Sequence, residues 1–426
     1  MGADALGNVA LQICASDDDN EIDAGTPAHQ RWEYDSATKQ LRVGGLDRQQ
    51  AASVAPLCLT LAPNTVGYEL VDPVPSYNVT GNSRYYVTNS LGMLDQEGEF
   101  YFENRTGYLY FKPPGGGPPI FDVYISANAT AVNLTDTHDV VIQGINVQYT
   151  TTLALSARNI SRVVLRNVTI GNSGGDGMAI DGRDSVIEGN HIYGIGCSAM
   201  SIEGGNRTSL EPGNLTVTRN KIHDWALVTR SYMGGIGFGG SGNVVSFNEV
   251  YNSPHTAITG SGNNWLFEGN HVHDVCRGTT DAGAFYVGRT WSSLGNTLRN
   301  NIFNRSAPVE KLVQYSSTVG IYLDDMDSGW DVFDNYIAVR AHAIHRDSTD
   351  AWTHRDRLLA MLRLQGSPMC IELGGGRVNT VVNNRFENCG TAVHLDRRNV
   401  IAYTNPTNGT YSLMPYPKLI CFGVFL

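Results

Sequence analysis

From about Val140 onward the chain alternates short apolar–polar runs with turn residues, and one such run returns in varied spelling. It reads Val186-Ile187-Glu188-Gly189-Asn190-His191-Ile192, then Val217-Thr218-Arg219-Asn220-Lys221-Ile222, Val245-Ser246-Phe247-Asn248-Glu249-Val250 and Leu266-Phe267-Glu268-Gly269-Asn270-His271-Val272. Further copies run from Leu298 to Phe303, Val332 to Ile337 and Val381 to Phe386, so the Asn positions step by 30, 28, 22, 31, 34 and 49 residues. Two earlier copies carry Ile145 and Val168 where the later ones carry Asn. A period from about twenty to the mid-thirties, built of short β-like segments with no helical stretch between them, is what one coil of a stacked β-solenoid produces. At the bend between strands Asn tolerates the left-handed backbone region, and its amide can bond the same Asn one coil away. A ladder of stacked asparagines is therefore predicted.

Between these phrases lies a second predicted strand, with copies such as Gly177-Met178-Ala179-Ile180-Asp181, Ala199-Met200-Ser201-Ile202-Glu203, Ala284-Phe285-Tyr286-Val287-Gly288 and Gly320-Ile321-Tyr322-Leu323-Asp324. Side chains alternate across a strand, so an Ile/Phe/Val column fills the core and the following residue faces out. Read this way, the outward column is Asp181, Glu203, Gly237, Thr259, Tyr286, Tyr322, Glu372 and His394, with Asp324 and Asp396 two positions further on. A face lined with acids, tyrosines and a histidine reads as a binding groove. The stretch 341–368 breaks the rhythm with a charged segment holding Leu358 to Leu362, an expected short amphipathic helix.

Composition agrees with an all-β chain. Charged residues are 17% and Gly numbers 47, which suits tight turns better than helices. The net charge of −11, from 41 acidic and 30 basic residues, argues against nucleic acid or an anionic membrane as partner. No run of 18 apolar residues marks a transmembrane helix. Of seven cysteines none forms a CxxC pair; Cys14 and Cys58 flank one short module and can bridge, while Cys197 and Cys276 are expected to be buried as small apolar residues. Ten Asn-x-Ser/Thr sequons fit a secreted glycoprotein. The first residues show no signal peptide, so the sequence reads as a fragment missing its true start.

These phrases resemble the right-handed parallel β-helix, or pectin-lyase-like, superfamily. More narrowly, the region from Asn78 to Asp396 is similar to proteins grouped around glycoside hydrolase family 141. The similarity rests on Leu94 to Tyr101 with Thr106 to Tyr110, on Pro254-His255, on Asp281 to Arg289, on Leu323-Asp324-Asp325 and on Gly374 to Arg377. The first residues, with Leu11-Gln12-Ile13-Cys14, Gln30-Arg31-Trp32, Tyr34-Asp35 and Cys58-Leu59, resemble one ricin-type lectin repeat, a third of a β-trefoil. The expected organisation is a lectin-like fragment over 1–75, a β-rich lead-in segment over 76–126, a single-stranded right-handed parallel β-helix over 127–403 with an insertion at 341–368, and a tail over 404–426.

Hydrolysing a glycosidic bond needs two carboxyl groups flanking it. Asp281 and Asp324 are the best pair, since they fall on successive coils, and the resemblance implies that these two acidic motifs are catalytic. Asp325 shares the second motif, and its alternative reading is a polar turn. His255 is placed to orient substrate or assist proton transfer, or else to bond a neighbouring turn. Tyr286 and Tyr322 can stack on sugar rings or form a packing ladder. Arg289 can bind a hydroxyl or carboxylate, or pair with Asp324. Glu203 and Glu372 are further substrate-binding candidates, and Asp181 a solvated groove residue. His271 and His273 are read as turn residues with a structural role rather than as metal ligands.

The expected protein is therefore a secreted, monomeric glycoside hydrolase acting on a polysaccharide, with no cofactor. A polysaccharide lyase is the alternative, in which case calcium is admissible at Asp324-Asp325-Met326-Asp327; but the groove column holds no Lys or Arg to act as base. A non-catalytic carbohydrate-binding or cell-surface β-helix is the third reading.

Overall fold

The computed structural model describes residues 91–103, 108–112, 128–308, 318–339 and 369–396, residues 124 and 126, and, before residue 90, the backbone of short strands only. The chain divides into two compact units, Met1–Tyr124 and Ile125–Leu426. In the first the strands pair antiparallel: Trp32–Asp35 with Gln40–Val43, Leu59–Thr60 with Glu69–Leu70, and Phe100–Glu103 with Tyr108–Phe111. The side chains that carry the lectin-like reading, the 341–368 segment with its expected helix, and the 404–426 tail lie outside the described residues.

The second unit winds as a parallel β-helix of three sheets. One nine-stranded sheet runs from Val141–Gln143 to Thr380–Val382 and another from Asn146–Gln148 to Arg385–Glu387; a longer sheet runs from Asn128–Thr135 to Thr391–Leu395. Each coil crosses all three, as in Asp176–Arg183, Val186–Glu188 and His191–Ile195 before the next coil opens at Met200. The predicted repeat phrase is the second and third of these strands together with the bend between them. His271 and His273, expected in a turn, belong to the strand His271–His273.

Strict register stacks like on like. In the first short sheet Ile187, Val217, Val245 and Phe267 stand over one another, and all four are buried. The long sheet contributes two inward columns. One runs Leu155, Met178, Met200, Ile236, Ile258, Phe285, Ile321, Ile371. The other, two residues on, runs Ala157, Ile180, Ile202, Phe238, Gly260, Val287, Leu323, Leu373. At mid-height the lumen is filled by Phe238, Trp265, Phe267, Phe285 and Trp330, whose rings meet edge-on, tilted or stacked. Each fully buried side chain of this size contributes roughly 1.5–3 kcal/mol relative to exposure.

The asparagine ladder forms. Asn190, Asn220, Asn248, Asn270, Asn301, Asn335 and Asn384 are all buried, and each amide donates to the Oδ1 of the next at 2.9 Å. That same Oδ1 accepts the backbone N–H of the Asn one coil below. The second amide hydrogen reaches a backbone carbonyl, as Asn248 does to Val217 at 3.0 Å. Every polar atom of a sharp buried bend is thereby satisfied, which is what makes the bend affordable in the interior.

A second bend, between the long sheet and the first short sheet, solves the same problem by alternation. Its column reads Val163, Ser185, Leu215, Asn243, Trp265, Asn296, Trp330, Asn379, all buried. Each polar member accepts the backbone N–H of the apolar residue one coil below: Ser185 from Val163, Asn243 from Leu215, Asn296 from Trp265, Asn379 from Trp330. Higher up, a disulfide between Cys370 and Cys389 ties neighbouring coils. Cys276 is buried and Cys197 half-buried; Cys14 and Cys58 lie outside the described residues.

Candidate functional site

The outward face of the long sheet is organised by the register of its strands. Ala179, Ser201, Gly237, Thr259, Tyr286, Tyr322, Glu372 and His394 form one row. Asp181, Glu203 and Gly239 belong to a second row two residues further on, where Gly288 pairs with Asp324. The single column expected from sequence thus slips by two residues between Glu203 and Gly237. The cause is plain: each strand offers two inward positions, and an Ile can occupy either. Met178 and Met200 take the first position in the early coils and Ile180 and Ile202 the second, so aligning the copies on isoleucine joins two different rows.

Asp281 and Asp324 fall on successive coils but at different heights along the strand. Asp324 pairs with Gly288, while Asp281 immediately precedes Ala282, which pairs with Thr318. They are connected by a reciprocal brace. The Tyr322 hydroxyl, on the coil of Asp324, donates to Asp281 Oδ1 at 3.3 Å, and the Tyr286 hydroxyl, on the coil of Asp281, donates to Asp324 Oδ2 at 3.1 Å. Between them the two rings meet edge to face, centroids 5.3 Å apart. Burial, then the Asp324 charge, pushes the Tyr286 hydroxyl up, so it remains a donor across the working pH range. Asp324 is buried and Asp281 exposed, so the two carboxyls sit in unlike surroundings.

Neighbouring groups close the turn after the strand. Asp324 Oδ1 accepts the backbone N–H of Asp325 at 2.7 Å, and the Asp325 carboxylate receives Arg289 Nε at 3.0 Å. Arg289 thus pairs with Asp325. Arg289, Asp325 and Met326 all hold positive φ, a backbone that is uncommon outside Gly, Asn and Asp. Glu372, buried, lies 3.4 Å from His394 Nδ1 one coil up. His255 is buried in the bend that leads into Ile258, with its ring 5.3 Å from that of Tyr232. Burial pushes its imidazole down to about 4, and its Nδ1 has no hydrogen-bond partner among the described residues. Burial thus favours the uncharged ring over the imidazolium.

Further down the face, Glu203 stands beside Asp181 in register. Burial, then the Asp181 charge, raises its carboxyl above the usual range, against the pull of Arg207. Its Oε2 lies over Gly239, 1.9 Å from where a Cβ would stand. Gly237, Gly239 and Thr259 therefore form a low floor between an acidic end and an aromatic end.

Sequence reasoning missed two groups here. Asp327, named in the sequence only as part of an admissible calcium site, is buried and receives Trp330 Nε1–H at 2.6 Å. Burial raises its carboxyl to about 7. Arg207 spans from its own coil to Ser261 and Asn263, at 3.1 and 2.9 Å, and no repeat phrase marks it.

A family described as right handed beta helix region matches residues 153–339. With the register above, this defines the chain's class: a right-handed parallel β-helix. No curated protein matches the sequence. Among solved structures the chain is similar to a glycoside hydrolase at 12% identity and TM-score 0.47, over 76% of this chain and 60% of that one. It is also similar to the Dettilon tailspike protein, at 14% identity and TM-score 0.34 over 62% and 55% of the two chains. The enzymatically active domain of bacteriophage CBA120 tailspike protein 2 follows at 12% and 0.32, over 74% and 47%. The chain thus spans 60% of the glycoside hydrolase's length. Likeness at this level fixes no chemistry, which has to come from the site's own residues.

Proposed function

We propose that this chain is a carbohydrate-active protein that hydrolyses a glycosidic bond in a polysaccharide on the outward face of the long sheet, with Asp281 and Asp324 as the working carboxyl pair. What supports the reading is the reciprocal tyrosine brace, which links two carboxyls of unlike exposure on successive coils. Asp324 accepts from Tyr286 and from the Asp325 N–H while Asp281 stands open to solvent, and these are the two carboxyls between which hydrolysis would divide the roles of acid and nucleophile or base. Tyr286 and Tyr322 offer ring surface for the C–H face of a sugar. Glu203 and Glu372 are hydroxyl acceptors along the trough, and Arg289 with Asp325 fixes its rim. Polymeric glycan as substrate implies work outside the cell. A lyase is disfavoured because neither outward row carries Lys or Arg and Arg289 is engaged by Asp325.

The test is a screen of the purified chain on neutral and acidic polysaccharides beside Asp281→Asn and Asp324→Asn. Release of reducing ends without an unsaturated chromophore, reduced about 10²–10⁴-fold in both variants, is the expected result. Unsaturated uronate product would move the reaction to β-elimination. Glycan binding with no turnover would leave a non-catalytic binder.

A further inference from the structure

The outward face of the other short sheet holds a cluster that the glycan site does not use. His271 and His273 stand two apart on one strand, so both imidazoles project from the same face. Glu249 pairs with His271 from the coil below, and Tyr251 with His273. The ligand-capable atoms of Glu249, His271 and His273 all lie within 4.8 Å of one another. We infer that these three side chains form a binding site for a divalent transition metal of the zinc type, joining two successive coils.

Hydrogen bonding around the cluster supports this. His273 Nδ1 lies 2.8 Å from Asp274 Oδ2, and Asp274 is clamped by Arg305 through Nε and Nη2. A carboxylate on one imidazole nitrogen fixes the proton there and presents the other nitrogen's lone pair, the arrangement that orients metal-binding histidines. With the proton on Nδ1, His273 Nε2 faces Glu249 Oε1 at 3.5 Å as one acceptor before another. His271 Nε2 is buried and has no hydrogen-bond partner among the described residues. A cation between them satisfies all three atoms at once. Tyr251 stacks on His273 with centroids 4.7 Å apart and planes 7° from parallel, which locks the ring. Two imidazoles and one carboxylate suit zinc, nickel or cobalt over calcium or magnesium, which prefer all-oxygen shells. Three protein ligands leave a coordination position for water.

The experiment is a titration of the untagged chain with Co²⁺, read by its visible d–d absorption, with Zn²⁺ competition and Ca²⁺ as control. Expected is one equivalent bound, displaced by Zn²⁺ but not by Ca²⁺. Affinity should be lost in His271→Gln, and reduced about 10–100-fold in Asp274→Asn, which touches no metal and acts through His273. Zn²⁺ should also raise the thermal midpoint of the wild-type chain and leave that of His271→Gln unmoved. Circular dichroism of each variant checks that the coil remains folded. Arg305 Nη2 also lies 3.0 Å from His273 Nδ1; a ring deprotonated on that side would hand its Nε2–H to Glu249 and bind no metal. Absence of a Co²⁺ spectrum, or binding that His271→Gln leaves unchanged, overturns the assignment.

Discussion

Asn248→Ala tests the ladder at its centre. The side chain takes part in four hydrogen bonds: Oδ1 accepts the N–H and the amide of Asn220, and Nδ2 donates to Asn270 Oδ1 and to the Val217 carbonyl. Asn270 Oδ1 keeps the backbone N–H of residue 248 after the substitution, so it is not orphaned. The Asn220 N–H and one Asn220 amide hydrogen are, and both lie in a buried bend, whereas the Val217 carbonyl keeps its place in the sheet ladder. At about 1–3 kcal/mol for a buried group left unpaired, with some relief from local relaxation, the loss should be about 3–5 kcal/mol. Asn190→Ala is the internal comparison. Its side chain ends the ladder, serving Val168 N–H, Leu165 carbonyl and Asn220 Oδ1. Asn220 Oδ1 keeps its bond from the Asn190 backbone and the Leu165 carbonyl its place in the sheet ladder, so one orphaned group, the Val168 N–H, sets the cost at about 1–2 kcal/mol. Urea unfolding, followed by fluorescence of the buried Trp225, Trp265 and Trp330, measures both. A shift below about 1 kcal/mol for Asn248→Ala with an unchanged m-value, or a larger loss in Asn190→Ala, would refute the view that the ladder holds the bends.

Three further outcomes are expected. Tyr286→Phe removes the donor to Asp324 but keeps the ring against Tyr322, so folding stability should fall by about 1.5–3 kcal/mol, as for a lost bond to a charged group, in urea unfolding, and hydrolysis should fall with the loosened carboxylate. Cys389→Ser should cost about 3 kcal/mol under oxidising conditions, given the 19-residue separation from Cys370, and reductant should destabilise the wild-type chain but not the variant. Asp327, with its folded value raised to about 7, binds a proton in the folded state that the unfolded chain has released, so stability should decline as pH rises from about 4 to 7 and level off above. Asp327→Asn, which keeps an oxygen for Trp330 Nε1–H, should flatten that slope in urea titrations across the same window; an unaltered slope would assign the pH dependence elsewhere.

The solenoid was legible in the sequence because its bends demand a particular residue. Seven copies of Asn at one point of the repeat announced both the coil and the ladder. The second bend escaped notice for the opposite reason: alternating Asn or Ser with Val, Leu or Trp leaves no repeated letter, since one polar side chain serves two coils. Row assignment on the long sheet failed at Glu203 because isoleucine is equally at home in either inward position, and only backbone pairing distinguishes them. The partner of Arg289 was out of reach as well, because the left-handed turn at Asp325 and Met326 decides which carboxylate swings towards it. The Cys370–Cys389 link needs the lengths of the intervening loops to be known before the two sulfurs can be placed on neighbouring coils.

The outward faces of the first short sheet and the long sheet differ in how they treat charge, and this difference favours the long sheet as the place of the proposed chemistry. On the first short sheet unlike charges stack and cancel: Glu188 meets Arg166 and Arg219 from the coils on either side, and Glu268 meets Arg299. Such pairs contribute little each, but they cost nothing, and they need only three-residue strands between tight bends. The long sheet has strands of up to 12 residues and room for two outward rows. Yet it stacks Asp181 on Glu203, like on like, which disfavours the fold. Glycine at 239 then makes room for the Glu203 carboxylate, which any larger side chain there would displace. A face chosen for stability alone would have replaced both features. Their presence beside a braced pair of aspartates and an edge-to-face pair of tyrosines is the pattern expected where a sheet is shaped to receive a polar, ring-bearing chain.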